Sequence, residues 1–280
     1  MSHAPRARTG DVGFTPIRRS WPHPSPGLPG RAGRPRTAVV TGASSGIGAA
    51  VSRRLSAEGW SLVLSGRDAA RLCDVAGRGR TPCFQADLTA PGAAERLTGF
   101  ALDQVGHMDL LVAGAGVGWA GEFATMPVST LEEIIETDLV ATLRLVRQVV
   151  PHMVGEGRGR VVLIGSLAGV VGVREEAVYS AAKAALSAFA EALRYELAGT
   201  GVALSHVVPG VVDTPFFERR GTPYRRSRPR PVPPERVADA VWSAVHRGRD
   251  EIYVPGWLRL PARIHGAAPA LFRRLSSVFG

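Results

Sequence analysis

Residues 37–48 read TAVVTGASSGIG, and this stretch decides the fold that the sequence predicts. A short apolar run, Thr37–Thr41, leads directly into glycines and serines, and helical spacing begins at Gly46. Glycines at a strand-to-helix junction allow a tight turn, and the free N–H groups that open the helix favour an anion. The stretch therefore predicts a βα unit with a phosphate-binding loop, in which the glycines have the spacing Gly-x3-Gly-x-Gly.

The same alternation of apolar runs and helical spacing continues to about residue 254. It predicts a doubly wound sheet of about seven parallel strands in a single Rossmann-like α/β domain, whose ligands bind beyond the carboxyl ends of the strands. The further predicted strands are 61–65, 82–85, 109–113, 160–164, 202–208 and 251–254, and the predicted helices are 46–58, 68–76, 93–105, 128–156, 177–198 and 234–246.

Composition and charge narrow the class of protein. The net charge of +10 is concentrated at the two ends of the chain, without the basic stripe and interleaved aromatics of a nucleic-acid binder. No apolar stretch reaches the roughly 18 residues of a membrane span, and the N-terminus lacks the apolar core of a signal peptide. Cys73 and Cys83 form neither a metal-ligand pattern nor a disulfide framework. We expect a cytoplasmic protein that binds no nucleic acid and no metal.

Three segments are predicted. Residues 1–35, rich in Pro, Gly, Arg and Ser, are predicted to be a disordered basic extension, although a wrongly assigned start codon explains them equally well. Residues 36–255 form the catalytic domain, within which the Pro- and Arg-rich stretch 219–234 is predicted to be mobile. Residues 256–280 form an amphipathic tail that Pro261 and Pro269 divide into short helices. The tail packs on protein, which is the favoured interpretation, or lies on an anionic membrane.

Lys183 is the only lysine in the chain and stands four residues after Tyr179. At this spacing the two side chains are neighbours on one helix face. A free phenol, with a pKa near 10, is too weakly acidic to act as a base at neutral pH, and an adjacent ammonium favours the phenolate. Arginine would keep the charge but lose lysine's compact geometry. Tyr179 is therefore a candidate general acid or base.

Together these motifs resemble the short-chain dehydrogenase/reductase family, in its simple, non-extended form, over about residues 36–255. Ser166, thirteen residues before Tyr179, resembles the family's active-site serine. The resemblance implies an NAD(P)-dependent oxidoreductase that interconverts a carbonyl and an alcohol, assembled as a homodimer or homotetramer. Ser166 would bind the substrate oxygen, and Lys183 would also bind the nicotinamide ribose. The implied cofactor-binding residues are Gly42, Ser44, Ser45, Gly46, Ile47, Gly48, Arg67, Asp87, Leu88, Ala115, Tyr179, Lys183, Pro209, Gly210 and Thr214.

Cofactor choice is predicted from the end of the second strand. An acidic residue there would bind the ribose hydroxyls of NAD, but this chain has Gly66 followed by Arg67. A guanidinium suits a 2′-phosphate, so NADP is predicted, with Arg67 and Ser44 as its contacts and NAD as the weaker alternative. Asp68 lies nearby and is interpreted as a helix N-cap.

Two departures from the family pattern stand out. Residues 113–116 read AGAG where the family has Asn-Asn-Ala-Gly, which predicts a looser turn. Asp138 stands where the family has a catalytic asparagine, and its carboxylate can accept hydrogen bonds from Lys183 or from a relayed water. We predict that Asp138 belongs to the catalytic relay.

Two other functions compete with the oxidoreductase. A non-catalytic regulator on the same fold would need the glycine loop but not Ser166, Tyr179 and Lys183. A peripheral membrane enzyme acting on a lipid would use the tail, whose apolar residues point weakly to a lipophilic substrate. The six arginines of residues 219–234 suit an anionic substrate or, as the favoured interpretation, a solvated loop.

Overall fold

A computed structural model describes residues 28, 35–77, 81–224, 229–270 and 272–274. Most of the predicted N-terminal extension lies outside the described residues, as do the arginine-rich centre of the stretch 219–234 and the last residues of the tail.

The described residues form seven strands: β1 Thr37–Thr41, β2 Ser61–Gly66, β3 Cys83–Gln85, β4 Leu110–Ala113, β5 Gly159–Ile164, β6 Val202–Pro209 and β7 Glu251–Val254. All are parallel and form one sheet in the order β3-β2-β1-β4-β5-β6-β7, so the predicted doubly wound fold is confirmed. The strand order reverses between β1 and β4, and this reversal opens a crevice at the carboxyl ends of the strands.

Helices cover both faces of the sheet because alternate strand residues point to opposite sides. In β1, Val40 packs with the helices α1 and α9, whereas Val39 packs with α3, α5 and α7. The helices are α1 Gly46–Ala57, α2 Ala69–Ala76, α3 Ala93–Val105, α4 Val128–Ile135, α5 Ala141–Gly155, α6 Ala168–Val171, α7 Ala177–Leu197, α8 Phe216–Arg219, α9 Pro234–Arg247 and α10 Arg259–Ala267.

The helix predicted over residues 128–156 is not uniformly α-helical. A π-helical turn, Glu136–Val140, separates α4 from α5, and Asp138 is fully buried within it. Such turns insert an extra residue into the helical repeat and often occur at functional sites. Hydrophobic spacing alone does not reveal this insertion.

One residue of the N-terminal extension and one of the tail are part of the core. Leu28 is buried, and its N–H donates to the carbonyl of Val245 at 3.0 Å. Leu258 is 2% exposed and packs against Gly210. Pro261 does not divide the tail as predicted: it lies in the first turn of α10, where its missing N–H is not needed. Within the described residues, no helix is long and apolar enough to cross a membrane.

Candidate active site

A cleft of about 580 Å³ lies at the carboxyl ends of the strands. Its wall includes Ser166, Tyr179, Lys183 and Asp138, together with every residue that the sequence assigned to the cofactor. Residues far apart in the sequence therefore meet at one place, as the parallel topology requires.

The glycine loop and the loop after β4 touch at the floor of this cleft. Gly42 has φ 67°, and a Cβ there would lie 2.6 Å from the carbonyl oxygen of Gly114. A Cβ at Gly48 would lie 2.3 Å from the Gly42 carbonyl oxygen, so α1 must approach the loop without a side chain. The backbone of this cradle is open to a pyrophosphate, which fits a dinucleotide.

Thr41 supports the Ala-Gly-Ala-Gly turn after β4. Its Oγ1 accepts hydrogen bonds from the N–H groups of Gly114, at 3.1 Å, and Ala115, at 3.3 Å. A neighbouring strand thereby stabilises the turn that lacks the family's asparagine.

Ser166, Tyr179 and Lys183 meet above β5. Ser166 follows the end of that strand, where its Oγ accepts from the N–H of Ala168 at 3.1 Å, and it lies close enough to Tyr179 to lower the pKa of the phenol. Tyr179 and Lys183 lie one turn apart on α7. The ammonium of Lys183 is 5.7 Å from the centre of the Tyr179 ring. A hydroxyl, a phenol and an ammonium thus face one space, in which a reacting oxygen could be held and could exchange a proton.

Asp138 is directly paired with Lys183. Its Oδ2 lies 3.1 Å from Lys183 Nζ, and its Oδ1 accepts from the N–H of Val117 at 2.8 Å. Lys183 Nζ also donates to the carbonyl of Ile164 at 3.3 Å. The π-helical turn therefore places a carboxylate beside the lysine, whose ammonium contacts both this carboxylate and the Ile164 carbonyl.

Burial and neighbouring charges set the pKa values of Tyr179, Asp138 and Lys183. Burial raises the pKa of Tyr179 and outweighs Lys183, which lowers it, while Asp138 raises it further. Burial also raises the pKa of Asp138, against the opposing effect of Lys183. For Lys183, burial lowers the pKa, but the charges of Asp138 and Tyr179 more than compensate and leave it raised. The phenol therefore holds its proton more firmly than the sequence suggested.

The other end of the cleft adjoins β2. Arg67 makes an exposed ion pair with Glu133 at 3.6 Å. The interpretation of Asp68 as an N-cap is confirmed, since its Oδ1 accepts from the N–H of Arg71 at 2.9 Å. Asp87 accepts two hydrogen bonds from Thr89 within its own loop.

A row of aromatic side chains lies beside Tyr179, and the sequence analysis did not predict it. Phe216 lies 5.5 Å from Tyr179, Phe217 lies 5.6 Å from Phe216, and Tyr224 lies 5.4 Å from Phe217, measured between ring centres. Arg220 stacks on Phe217 and pairs with Glu176. The adjacent phenylalanines two residues after Thr214 were the available signal, because aromatic pairs are uncommon in a polar loop.

The family model for short chain dehydrogenases matches residues 36–224. The chain belongs to this family. It is an NAD(P)-dependent oxidoreductase that acts on CH–OH groups.

Named relatives agree with this assignment. The ketoacyl reductase HetN of Nostoc is 35% identical over 227 residues, which are 78% of this chain and 78% of that protein. A metagenomic short-chain oxidoreductase solved with NADP is 31% identical, with a TM-score of 0.66 over 78% of this chain and 96% of that one. A short-chain dehydrogenase/reductase of Burkholderia phymatum solved with NAD has a TM-score of 0.78 over 85% of this chain and 95% of that one. At 22% identity this last likeness concerns the fold alone.

Proposed function

We propose that this chain is an NADP-dependent carbonyl reductase in which Tyr179 is the general acid/base. The observation that carries the proposal is the convergence of Tyr179, Ser166 and the Lys183–Asp138 pair in one cleft. When bound, the nicotinamide cofactor exchanges a hydride with the substrate carbon. Tyr179 gives a proton to the substrate oxygen or takes one from it, and Ser166 holds that oxygen by a hydrogen bond.

The protonation of Tyr179 favours the reductive direction. Because burial raises the pKa of the phenol, Tyr179 keeps its proton at neutral pH and can donate it to a carbonyl oxygen. Alcohol oxidation instead needs the phenolate and should become faster at higher pH. Lys183 opposes the effect of burial, and its cationic charge is in turn stabilised by Asp138.

A lipophilic, uncharged carbonyl compound suits the wall beside Tyr179. Phe216, Phe217 and Tyr224 offer apolar ring surface, and the charge of Arg220 is already matched by Glu176. This arrangement supports a lipophilic substrate over an anionic one. HetN is named as a ketoacyl reductase, which also acts on a keto group.

NADP is the proposed cofactor because β2 ends at Gly66 and Arg67 follows it, with no carboxylate at the position that would bind the ribose hydroxyls of NAD. The metagenomic relative was solved with NADP, which is consistent with this choice.

The test is NADPH consumption against a panel of apolar ketones and aldehydes, with Tyr179→Phe as the key variant. We expect Tyr179→Phe to lower kcat by about 10²- to 10⁴-fold, which is the range for a lost general acid. Tyr195→Phe, which removes an exposed phenol from the same helix, is the matched control and should retain activity. Unchanged turnover in Tyr179→Phe would refute the mechanism. NADPH binding without reduction of any carbonyl would favour the regulator instead.

A further inference from the structure

We propose that Arg219 of α8 completes the binding site for the 2′-phosphate of NADP, and that the bound phosphate holds α8 over the cleft. This inference rests on the NADP dependence proposed above. It adds a residue from the substrate side of the cleft to a site that the sequence placed only at β2 and the glycine loop.

Arg219 reaches across the cleft to the glycine loop. Its two terminal nitrogens donate to Ser45 Oγ at 3.2 and 3.1 Å, although the two residues lie 174 positions apart in the chain. A serine hydroxyl accepts these bonds without neutralising the guanidinium charge. Among the described residues, no carboxylate forms an ion pair with Arg219.

Three arginines gather at this end of the cleft. Arg67 and Arg71 line the cleft with Arg219, and after burial their charges are the main causes that lower the pKa of Arg219. Asp68 pairs with Arg71 at 2.7 Å. The pair between Arg67 and Glu133 is long and exposed, so it contributes little. Glu218 acts on Arg219 and Asp87 acts on Arg67 through their charges, but among the described residues neither carboxylate forms an ion pair with these arginines. A phosphate monoester with a charge of about −1.5 to −2 could therefore pair with Arg219 directly and relieve its repulsion by Arg67 and Arg71.

The position of this group fits the 2′-phosphate better than the pyrophosphate. A Cβ built at Gly66 would lie 3.0 Å from Ser44 Oγ, so the serines of the glycine loop adjoin the end of β2. In doubly wound folds the adenosine ribose lies at that strand end, whereas the pyrophosphate lies at the N-terminus of the first helix. Arg219 on Ser45 and Arg67 beside Gly66 thus flank the place where a ribose 2′-substituent would project, and guanidinium groups can bind phosphate bidentately.

The same short helix also forms part of the substrate wall. Phe216, at the start of α8, packs at a tilt against Tyr179 and also contacts Gly118. Arg220, which directly follows α8, pairs with Glu176. A phosphate bound by Arg219 would therefore fix the segment that encloses the reacting groups. NAD lacks that phosphate, so Arg219 would keep only its hydrogen bonds to Ser45.

Direct binding measurements on Arg219→Gln test the site without relying on turnover. The probes are NADP⁺, NAD⁺, adenosine 2′,5′-bisphosphate and 5′-AMP, measured by isothermal titration calorimetry on the full chain. We expect Arg219→Gln to weaken NADP⁺ and the bisphosphate by about ten- to hundredfold, as for a lost charge-assisted hydrogen bond. Binding of NAD⁺ and 5′-AMP should change by less than about twofold. Arg53→Gln removes the same charge from an exposed position on α1, outside the cleft wall, and should leave all four affinities unchanged.

Hydrogen exchange of residues 212–224 tests the effect on α8. The bisphosphate should slow exchange in the wild type but not in Arg219→Gln, and 5′-AMP should have no effect in either protein. Equal weakening of NADP⁺ and NAD⁺ would assign Arg219 to the pyrophosphate and overturn the inference, as would unchanged affinity for the bisphosphate.

The cofactor preference of the wild type distinguishes a failure of this inference from a failure of the proposed function. If the wild type binds NAD⁺ as tightly as NADP⁺, the proposed cofactor preference is wrong. If it prefers NADP⁺ and Arg219→Gln keeps that preference, only the role of Arg219 is wrong. Thermal unfolding of the variant distinguishes a lost contact from a lost fold.

Discussion

The buried ion pair of Lys183 and Asp138 influences the charge of the lysine and the pKa of Tyr179. A lysine that is 5% exposed needs a partner, since an isolated buried charge is very unfavourable. An asparagine would offer only a neutral dipole, whereas the carboxylate at 3.1 Å keeps the ammonium charged. The same negative charge raises the pKa of Tyr179, so the two members of the pair act on the phenol in opposite directions.

Exchanging the carboxylate for the neutral amide should therefore move the pH profile without abolishing turnover. We expect Asp138→Asn to retain turnover within about tenfold, because the single amide oxygen can still accept from Lys183, and the lost acceptor then falls on the Val117 N–H. Removing the negative charge lowers the pKa of Tyr179, so the rise of alcohol oxidation with pH should shift to lower pH. Initial rates of oxidation between pH 6 and 11 measure this shift.

Lys183→Arg is the contrasting variant. It keeps the positive charge but misplaces it, so activity should fall about 10²-fold, the scale of a misaligned catalytic group. Equal losses of turnover in Asp138→Asn and Lys183→Arg would contradict this view of the pair.

At the scale of elements, strand β6 contains a histidine whose burial the sequence analysis did not predict. His206 is 2% exposed, and its Nε2 lies directly beneath Gly165, next to Ser166. Burial, together with the positive charges of Arg194 and Lys183, lowers the pKa of His206 to about 4. The imidazole is therefore neutral in the folded protein at physiological pH.

This histidine should make the fold sensitive to acid. Because the folded-state pKa is below the unfolded value of 6.5, the stabilising contribution is complete above pH 6.5 and is lost as the pH falls towards 4. The full difference between the folded and unfolded pKa values of His206 corresponds to about 3 kcal/mol in the free energy of unfolding. Urea unfolding at pH 7.5 and pH 4.5 should show a smaller acid loss in His206→Gln than in the wild type. The exposed His246→Gln is the control, and an equal acid loss in all three proteins would contradict the assignment.

The strands and the glycine loop were predictable because local spacing determines them. The predicted bounds of β1, α3 and β7 match the structure, and the chain order of the motifs indicated a shared cleft. The π-helical turn at Asp138 and the short helix α8 were not predictable. The first differs from an α-helix by a single inserted residue, and the second is one turn whose stability depends on contacts distant in sequence, such as that of Arg219 with Ser45.

For the whole molecule, the tail is better described as part of the catalytic domain than as an appendage. Leu258 lies against Gly210, in the segment that the family resemblance assigns to the nicotinamide, and α10 packs near α6. Trp257, one residue earlier, is 58% exposed, and Leu260 is 64% exposed. Within residues 256–262, one side thus packs into the domain and the other leaves apolar surface exposed, where contact with a second subunit or a membrane is still a prediction.

Alanine substitutions at Leu258 and Trp257 compare the buried side of the tail with its exposed side. Leu258→Ala empties a buried position, so it should lower the free energy of unfolding by about 2–5 kcal/mol. It should also weaken NADP⁺ binding, because Gly210 loses the side chain that supports it. Trp257→Ala removes a larger but exposed side chain and should change the stability of the monomer by less than about 0.5 kcal/mol. Urea unfolding and cofactor titration of the two variants measure both effects. If Leu258→Ala were as stable as Trp257→Ala, the tail would be an appendage after all, and the domain would end near Pro255.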